Sequence, residues 1–131
     1  MEQRAINPWS WQDQYAFSQA IEVTGGERVL YCAGQASVDA EGQPVHAGDM
    51  RAQMTQALDN LEAVLVRAGF TLSDVVRLNF YPTDVELFFA SSDVVISRLQ
   101  AAGCAPSGTL LGVSSLAFPG LLIELEATAV R

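Results

Sequence analysis

Apolar residues recur along this chain in two rhythms, one strand-like and one helical. Phe17 to Val23 (Phe-Ser-Gln-Ala-Ile-Glu-Val) mixes apolar and polar positions as a half-buried strand does. Thr24-Gly25-Gly26-Glu27 supplies a turn, because glycine takes left-handed conformations without steric cost. Arg28 to Ala33 reads as a second strand, so a hairpin is expected here. A short extended piece follows from Gly34-Gln35 to Val38, and Asp39-Ala40-Glu41-Gly42 turns again. The rhythm then changes. Met54, Leu58, Leu61, Leu65 and Ala68 recur at spacings of four, three, four and three, which predicts a helix with one apolar stripe. Asp49 is placed to cap it and Gly69 to end it. Val75 to Tyr81 returns to a strand, with Val76, Leu78 and Phe80 alternating with Arg77 and Asn79 until Pro82 stops it. Thr83-Asp84-Val85-Glu86 fits a capping box. It opens a second helix with Phe88, Val95 and Leu99 facing a core, ended by Ala102-Gly103.

Two apolar runs close the chain, Thr109 to Val113 and Leu121 to Leu125, separated by a Phe118-Pro119-Gly120 turn. Together they predict a C-terminal hairpin opened by Pro106, with Glu124 and Glu126 inside its second arm. A carboxylate in a buried strand is costly unless paired, so this hairpin is the first place to look for chemistry. Residues 1–16 read as irregular. Trp9 and Trp11 either pin that segment to the body or put a ring into a pocket.

The predicted order is two or three strands, helix, strand, helix, two strands, in one domain spanning residues 1–131. A mixed α/β (α+β) sheet with two helices on one face is the simplest packing. The closing runs look apolar on both sides, whereas a sheet with one wet face should alternate. A second subunit is therefore expected to cover the other face.

Composition narrows the chemistry. Half the residues are hydrophobic and 17% are charged, which argues against disorder. No apolar run approaches the roughly 18 residues needed to span a membrane. No apolar segment follows Met1-Glu2-Gln3-Arg4, so no signal peptide and a cytoplasmic location are expected. Net charge is −8 and all seven cations are arginines, a balance that argues against a nucleic-acid partner. Without lysine there is no Schiff-base chemistry. Cys32 and Cys104 lie far apart in no metal-ligand spacing; Cys32 reads as a small buried hydrophobe, and Cys104 as a residue that could border a pocket. His46, the single histidine, reads as a solvated loop residue, and no metal site or cofactor is expected.

Four stretches resemble the RidA/YjgF/UK114 family: Ala33-Gly34-Gln35; Gly48-Asp49 with Gln56-Ala57-Leu58-Asp59-Asn60-Leu61; Val75-Val76-Arg77 through Tyr81-Pro82-Thr83-Asp84; and Ile123-Glu124-Leu125-Glu126-Ala127-Thr128-Ala129-Val130. The resemblance covers residues 17 to 131 in order. It implies a chorismate-mutase-like fold and a homotrimer whose sheets form a central barrel, with a small-molecule ligand bound at each subunit interface. The best-known branch hydrolyses imines and enamines to 2-oxo acids and ammonia. There an arginine in a Pro-Ala-Arg-Ser motif holds the substrate carboxylate, and a glutamate of the last strand positions water.

By that resemblance Glu124 is the catalytic position. Phe17, Ala33, Gly34, Ser92, Ser107, Gly108 and Thr109 are the ligand-binding positions. The chain departs from the pattern where charge matters. Its motif is Pro106-Ser107-Gly108-Thr109, with Gly108 in place of the arginine; Phe17 replaces a tyrosine and Ala33 a serine, and Ser92 falls near an asparagine. An anionic substrate beside Glu124 would then meet an unopposed like charge, a repulsion of about 1–4 kcal/mol at 4 Å for dielectrics of about 80 to 20. Arg77 is a candidate to supply the missing charge. Two readings follow: a hydrolase or deaminase acting on a neutral or cationic imine or enamine, with Glu124 orienting water, or a module that binds a metabolite without turning it over. For Glu126 the favoured reading is a hydrogen-bonded structural residue.

Overall fold

The longest apolar stripe makes the longest element. Helix α1 runs Met50–Arg67, and the Asp49 carboxylate accepts a hydrogen bond from the Ala52 amide at 3.1 Å. That satisfies one of the donors a helix start leaves unpaired. Gly69 follows the helix at φ +81°, a left-handed conformation that costs glycine nothing. Met54, Ala57, Leu58, Leu61 and Leu65 are fully buried. They form one core with the inward residues of the sheet in this computed structural model, which describes all 131 residues.

The sheet is built around β6 (Ile123–Val130). On one side it pairs antiparallel with β5 (Val75–Pro82), placing Phe80 opposite Leu125 and Tyr81 opposite Glu124. On the other it pairs with β3 (Val29–Tyr31) and β4 (Gln35–Ala36). Ile123, Leu125, Ala127 and Ala129 of β6 face the core. Glu124, Glu126 and Thr128 point the other way, and from Ile123 to Ala129 the strand alternates cleanly. The two glutamates therefore do not sit in a buried strand interior: Glu126 is exposed and Glu124 half-buried. The large apolar side chains left uncovered on the sheet are Val29, 52% exposed, and Tyr31, 80% exposed.

Several expectations need correction. Residues 1–16 are not irregular, since β1 (Glu2–Ile6) pairs antiparallel with β2 (Ala20–Thr24) as a separate ribbon and Trp11–Tyr15 forms a 3₁₀ turn. The expected hairpin of the second and third strands is absent, because β2 pairs with β1 while β3 pairs with β6. The second helix is two: α2 (Val85–Ala90) and α3 (Asp93–Ala101) are separated by Ser91 and Ser92. Serine competes for backbone hydrogen bonds, and Ser92 Oγ donates to the Phe89 carbonyl at 2.9 Å. The cap of α2 is Asp84 rather than Thr83, accepting from the Leu87 amide at 2.9 Å.

The C-terminal hairpin is also absent. The run from Ser107 to Val113 lies parallel to β5, on the edge away from β6. Leu78 N–H donates to the Ser107 carbonyl at 2.8 Å, Phe80 N–H to Thr109 at 2.9 Å, and Leu111 N–H back to Phe80 at 3.0 Å. The two apolar arms thus flank β5 instead of pairing with each other. An apolar run has the same pattern whichever neighbour it finds.

Two amide side chains hold the sheet in register with α1. Asn60 donates to the Ala36 and Val38 carbonyls at 2.9 and 3.0 Å. Gln53, completely buried, donates to the His46 and Gly120 carbonyls at 3.0 and 2.8 Å and accepts from the Leu122 amide at 2.7 Å. It fastens the entry of β6, and with it Glu124, to the helix. Across the surface Arg98 of α3 reaches Asp59 at 2.7 Å and Glu62 at 3.3 Å on α1.

Candidate ligand site

The helix-covered face of β5 does not close completely over the core. Between Leu78 and Phe80 of β5, α2–α3, the Trp11–Tyr15 turn and the Pro106–Leu110 run lies a cavity of about 370 Å³. Twelve of its sixteen lining residues are hydrophobic, and none carries a formal charge. Four of the sequence-predicted ligand positions, Phe17, Ser92, Gly108 and Thr109, line it together. The sequence reading missed Tyr15, Phe88 and Phe89 as lining residues. The density of aromatics at 9–17 and 88–89 was the available signal. Of the two tryptophans, Trp11 lines the cavity and sits edge-to-face on Phe17, ring centroids 5.6 Å apart. Trp9 is exposed.

Gly108 has a physical reason to be glycine. A Cβ built there would overlap the Leu78 carbonyl oxygen and lie 2.9 Å from the carbonyl carbon. The close approach lets the 107–111 run hydrogen-bond along β5. Ser107, in contrast, is a brace: its Oγ donates to the Val76 carbonyl at 2.7 Å, and it does not line the cavity.

Glu124 lies elsewhere. Its β5 neighbour across the ladder is Tyr81, on the face opposite Phe80 and the cavity. There its carboxylate lies over Gly34, where a Cβ would come 2.7 Å from its Cδ. No hydrogen bond within the chain engages that carboxylate. Ala33 is exposed beside it, and its carbonyl accepts from the Gln35 side chain at 3.2 Å. The predicted site thus divides into two groups on opposite faces of one sheet, Phe17, Ser92 and Gly108 on the cavity side and Ala33, Gly34 and Glu124 on the other, with Thr109 at the sheet edge lining the cavity while its hydroxyl meets Arg77.

Arg77 stands on the Glu124 face. Its guanidinium donates to Thr109 Oγ1 at 3.2 Å and does not line the cavity. Beside it, Asn79 and Tyr81 both donate to Glu126 Oε1, at 3.1 and 2.9 Å. The Asn79 bond, then the Tyr81 bond, hold the Glu126 carboxyl below the usual carboxylate range, and the Tyr81 hydroxyl is raised in return by that same bond. A depressed carboxylate contributes stability that is present above its unfolded-state pKa and is lost as pH falls through the folded value. In ¹³C-detected titration Tyr81→Phe should move the Glu126 carboxyl back up toward ordinary values; an unchanged titration would mean the bond is not formed in solution.

Neither cysteine offers a thiolate. Cys104 is buried against the Val75 carbonyl, and burial pushes its thiol up to about 11. It borders a second, smaller cavity with Gln3, Ser18 and Ser73. Burial likewise raises Cys32. His46 takes φ +62° in its loop, where its backbone carbonyl serves Gln53. No three His, Cys, Asp or Glu side chains gather in a geometry that could hold a metal ion, and no helix is long and apolar enough to cross a membrane.

Residues 11–131 match the model of the family described as Endoribonuclease L-PSP. The chain is 31% identical over 115 residues to a RutC family protein of Pyrococcus horikoshii, covering 88% of this chain and 86% of that one. It is 28% identical over 114 residues, 87% of this chain and 84% of the other, to a 2-iminobutanoate/2-iminopropanoate deaminase of Dermatophagoides farinae. The crystal structure of a Rid-family protein from Yersinia pestis superimposes with a TM-score of 0.87 at 37% identity, over 100% of both chains.

Proposed function

Because this chain belongs to the RidA/YjgF family, whose family model carries the name Endoribonuclease L-PSP, we propose that it is a homotrimeric small-molecule-binding protein whose ligand sites form where two copies meet. The observation that carries this is the uncharged cavity that gathers Phe17, Ser92, Gly108 and Thr109. The second support is the division of the site. Glu124 and Gly34 present an unengaged carboxylate on the far face of the same sheet, and a neighbouring copy can bring that face to the cavity. Val29 and Tyr31 are the apolar surface such a copy would cover.

If the trimer turns over an imine or enamine, Glu124 is the group that orients or deprotonates the attacking water. The deaminase relative takes anionic imino acids by its name; this chain has no cation in the cavity with which to hold a carboxylate. Arg77 does not replace it, being on the other face and committed to Thr109. The absence of any charged lining group also favours the alternative, a binding module without turnover. A nucleic-acid substrate is not proposed, given a net charge of −8 and no lysine. A cytoplasmic location belongs to the same proposal.

The test is ammonia release from the enamine produced by a threonine dehydratase, read beside native mass spectrometry. The expected result is a trimer that leaves 2-iminobutanoate hydrolysis at the buffer rate. Acceleration of that hydrolysis, lost in Glu124→Ala, would overturn the exclusion of imino acids. A monomer would overturn the site between copies. Turnover of a neutral imine that Glu124→Ala abolishes selects the enzyme over the binding module.

A further inference from the structure

Resting on the reading of a small-molecule-binding protein, we infer the class of ligand: an uncharged, flat aromatic molecule of one or two fused rings, held in the cavity by ring packing rather than by ion pairing. Three observations converge on this. The first is the wall chemistry. Phe17, Phe80, Phe88 and Phe89 supply aromatic surface with Trp11 beside them, and the polar side-chain groups are few: the Trp11 indole N–H and the hydroxyls of Tyr15 and Ser92, the Thr109 hydroxyl being bonded to Arg77. Aromatic rings favour edge-to-face and offset contacts with one another. Phe88 and Phe89 already meet edge-to-face, centroids 5.6 Å apart at 82°, and Phe80 lies tilted at 58° against Phe88, 5.4 Å apart. A flat aromatic guest continues that arrangement.

The second is size. About 370 Å³ lies at the low end of small-molecule cavities, which run from about 300 to 1,000 Å³. The third is the fixed absence of a cation. The one position at which the family's clamp would enter, Gly108, is closed to any side chain by the Leu78 carbonyl. An anion entering the cavity would lose its hydration and find no counter-charge, a cost that an uncharged molecule of the same shape avoids. Trp11 is the residue set to discriminate by shape. It is 55% exposed, lines the cavity and leans on Phe17.

The experiment titrates the intact protein with a matched pair, 2-naphthamide and 2-naphthoate, by calorimetry. The expected result is binding of the amide at least about tenfold tighter than the anion, a ratio set by the desolvation of an unpaired carboxylate. Trp11→Ala should weaken the amide about fivefold, the loss of one aromatic contact. Ser92→Trp, which fills the cavity from the gap between α2 and α3, should abolish binding; an unchanged circular dichroism spectrum and melting temperature separate that from misfolding. Equal or tighter binding of naphthoate overturns the ligand class while leaving the small-molecule reading intact. No binding of either probe by a folded trimer overturns both. Amide binding that survives Ser92→Trp in a folded protein places the ligand outside this cavity and also overturns the inference.

Discussion

Gly108→Ala is expected to lower the unfolding free energy by about 2–4 kcal/mol, the scale of forcing an atom into a well-packed interior. The added methyl has nowhere to go. It overlaps a backbone carbonyl, that of Leu78, and not the flexible end of a side chain. Relief requires the Ser107–Leu111 run to move off β5. The hydrogen bonds to Leu78 and Phe80 stretch with it, as does the bond from the Thr109 amide to Asn79 Oδ1 at 3.0 Å. Urea unfolding of the purified variant measures the loss. A change within about 0.5 kcal/mol, the size of an ordinary surface substitution, would mean the run is loosely held. The same geometry bears on the obvious rescue. Gly108→Arg should be destabilised at least as much and should gain no imino-acid hydrolysis, because the side chain cannot start from that backbone while the run stays in place.

The second large effect lies far from any proposed ligand contact. Gln53→Ala should cost about 2 kcal/mol or more. It removes the acceptor of the Leu122 amide and a donor from the Gly120 carbonyl, while the His46 carbonyl keeps its bond from the Asp49 amide at 3.1 Å, and it empties a fully buried side-chain site; each unsatisfied group costs about 1–3 kcal/mol unless water reaches it. Gln53→Glu separates the terms: it keeps the acceptor for Leu122 but turns the donor toward two carbonyls into a second acceptor. It should therefore also be strongly destabilised at neutral pH. Thermal melts of both variants test this. Near-wild-type stability in both would show that the stranded backbone groups find other partners. Because Gln53 anchors the residue two before Glu124, the alanine variant should also blur the position of that carboxylate.

Elements with a strong local period were legible in the sequence. Helix α1 announced itself through its stripe, its Asp49 cap and Gly69, and β5 through alternation; β6 was legible as an apolar run and as the family's closing strand, while its alternation from Ile123 was missed. What could not be read was partnership. The run at 107–113 has the same residues whether it folds back on β6 or lies parallel to β5. Nothing local in Gln3-Arg4-Ala5 says that β2 is its neighbour. The break at Ser91-Ser92 was visible as two serines but outweighed by the apolar stripe that α2 and α3 share. For the site, the family pattern located Glu124, Gly34 and Gly108. Periodicity could not say that a sheet lies between the first two and the third, because which face a residue takes depends on register. Gln53 was hidden for a related reason: a glutamine inside a helix reads as surface until its three backbone partners, distant in sequence, are known.

The division of the site across one sheet has a consequence for genetics. In an assembly of the proposed kind, a lesion in the cavity and a lesion at Glu124 disable different halves of each site in the ring. Two chains, each inactive alone, one carrying Ser92→Trp and the other Glu124→Ala, would regain intact sites when co-expressed, wherever the sound half of one meets the sound half of the other. Recessive alleles of this gene would then fall into two complementing groups within a single cistron, and the boundary between the groups would follow the two faces of the sheet rather than the order of residues along the chain.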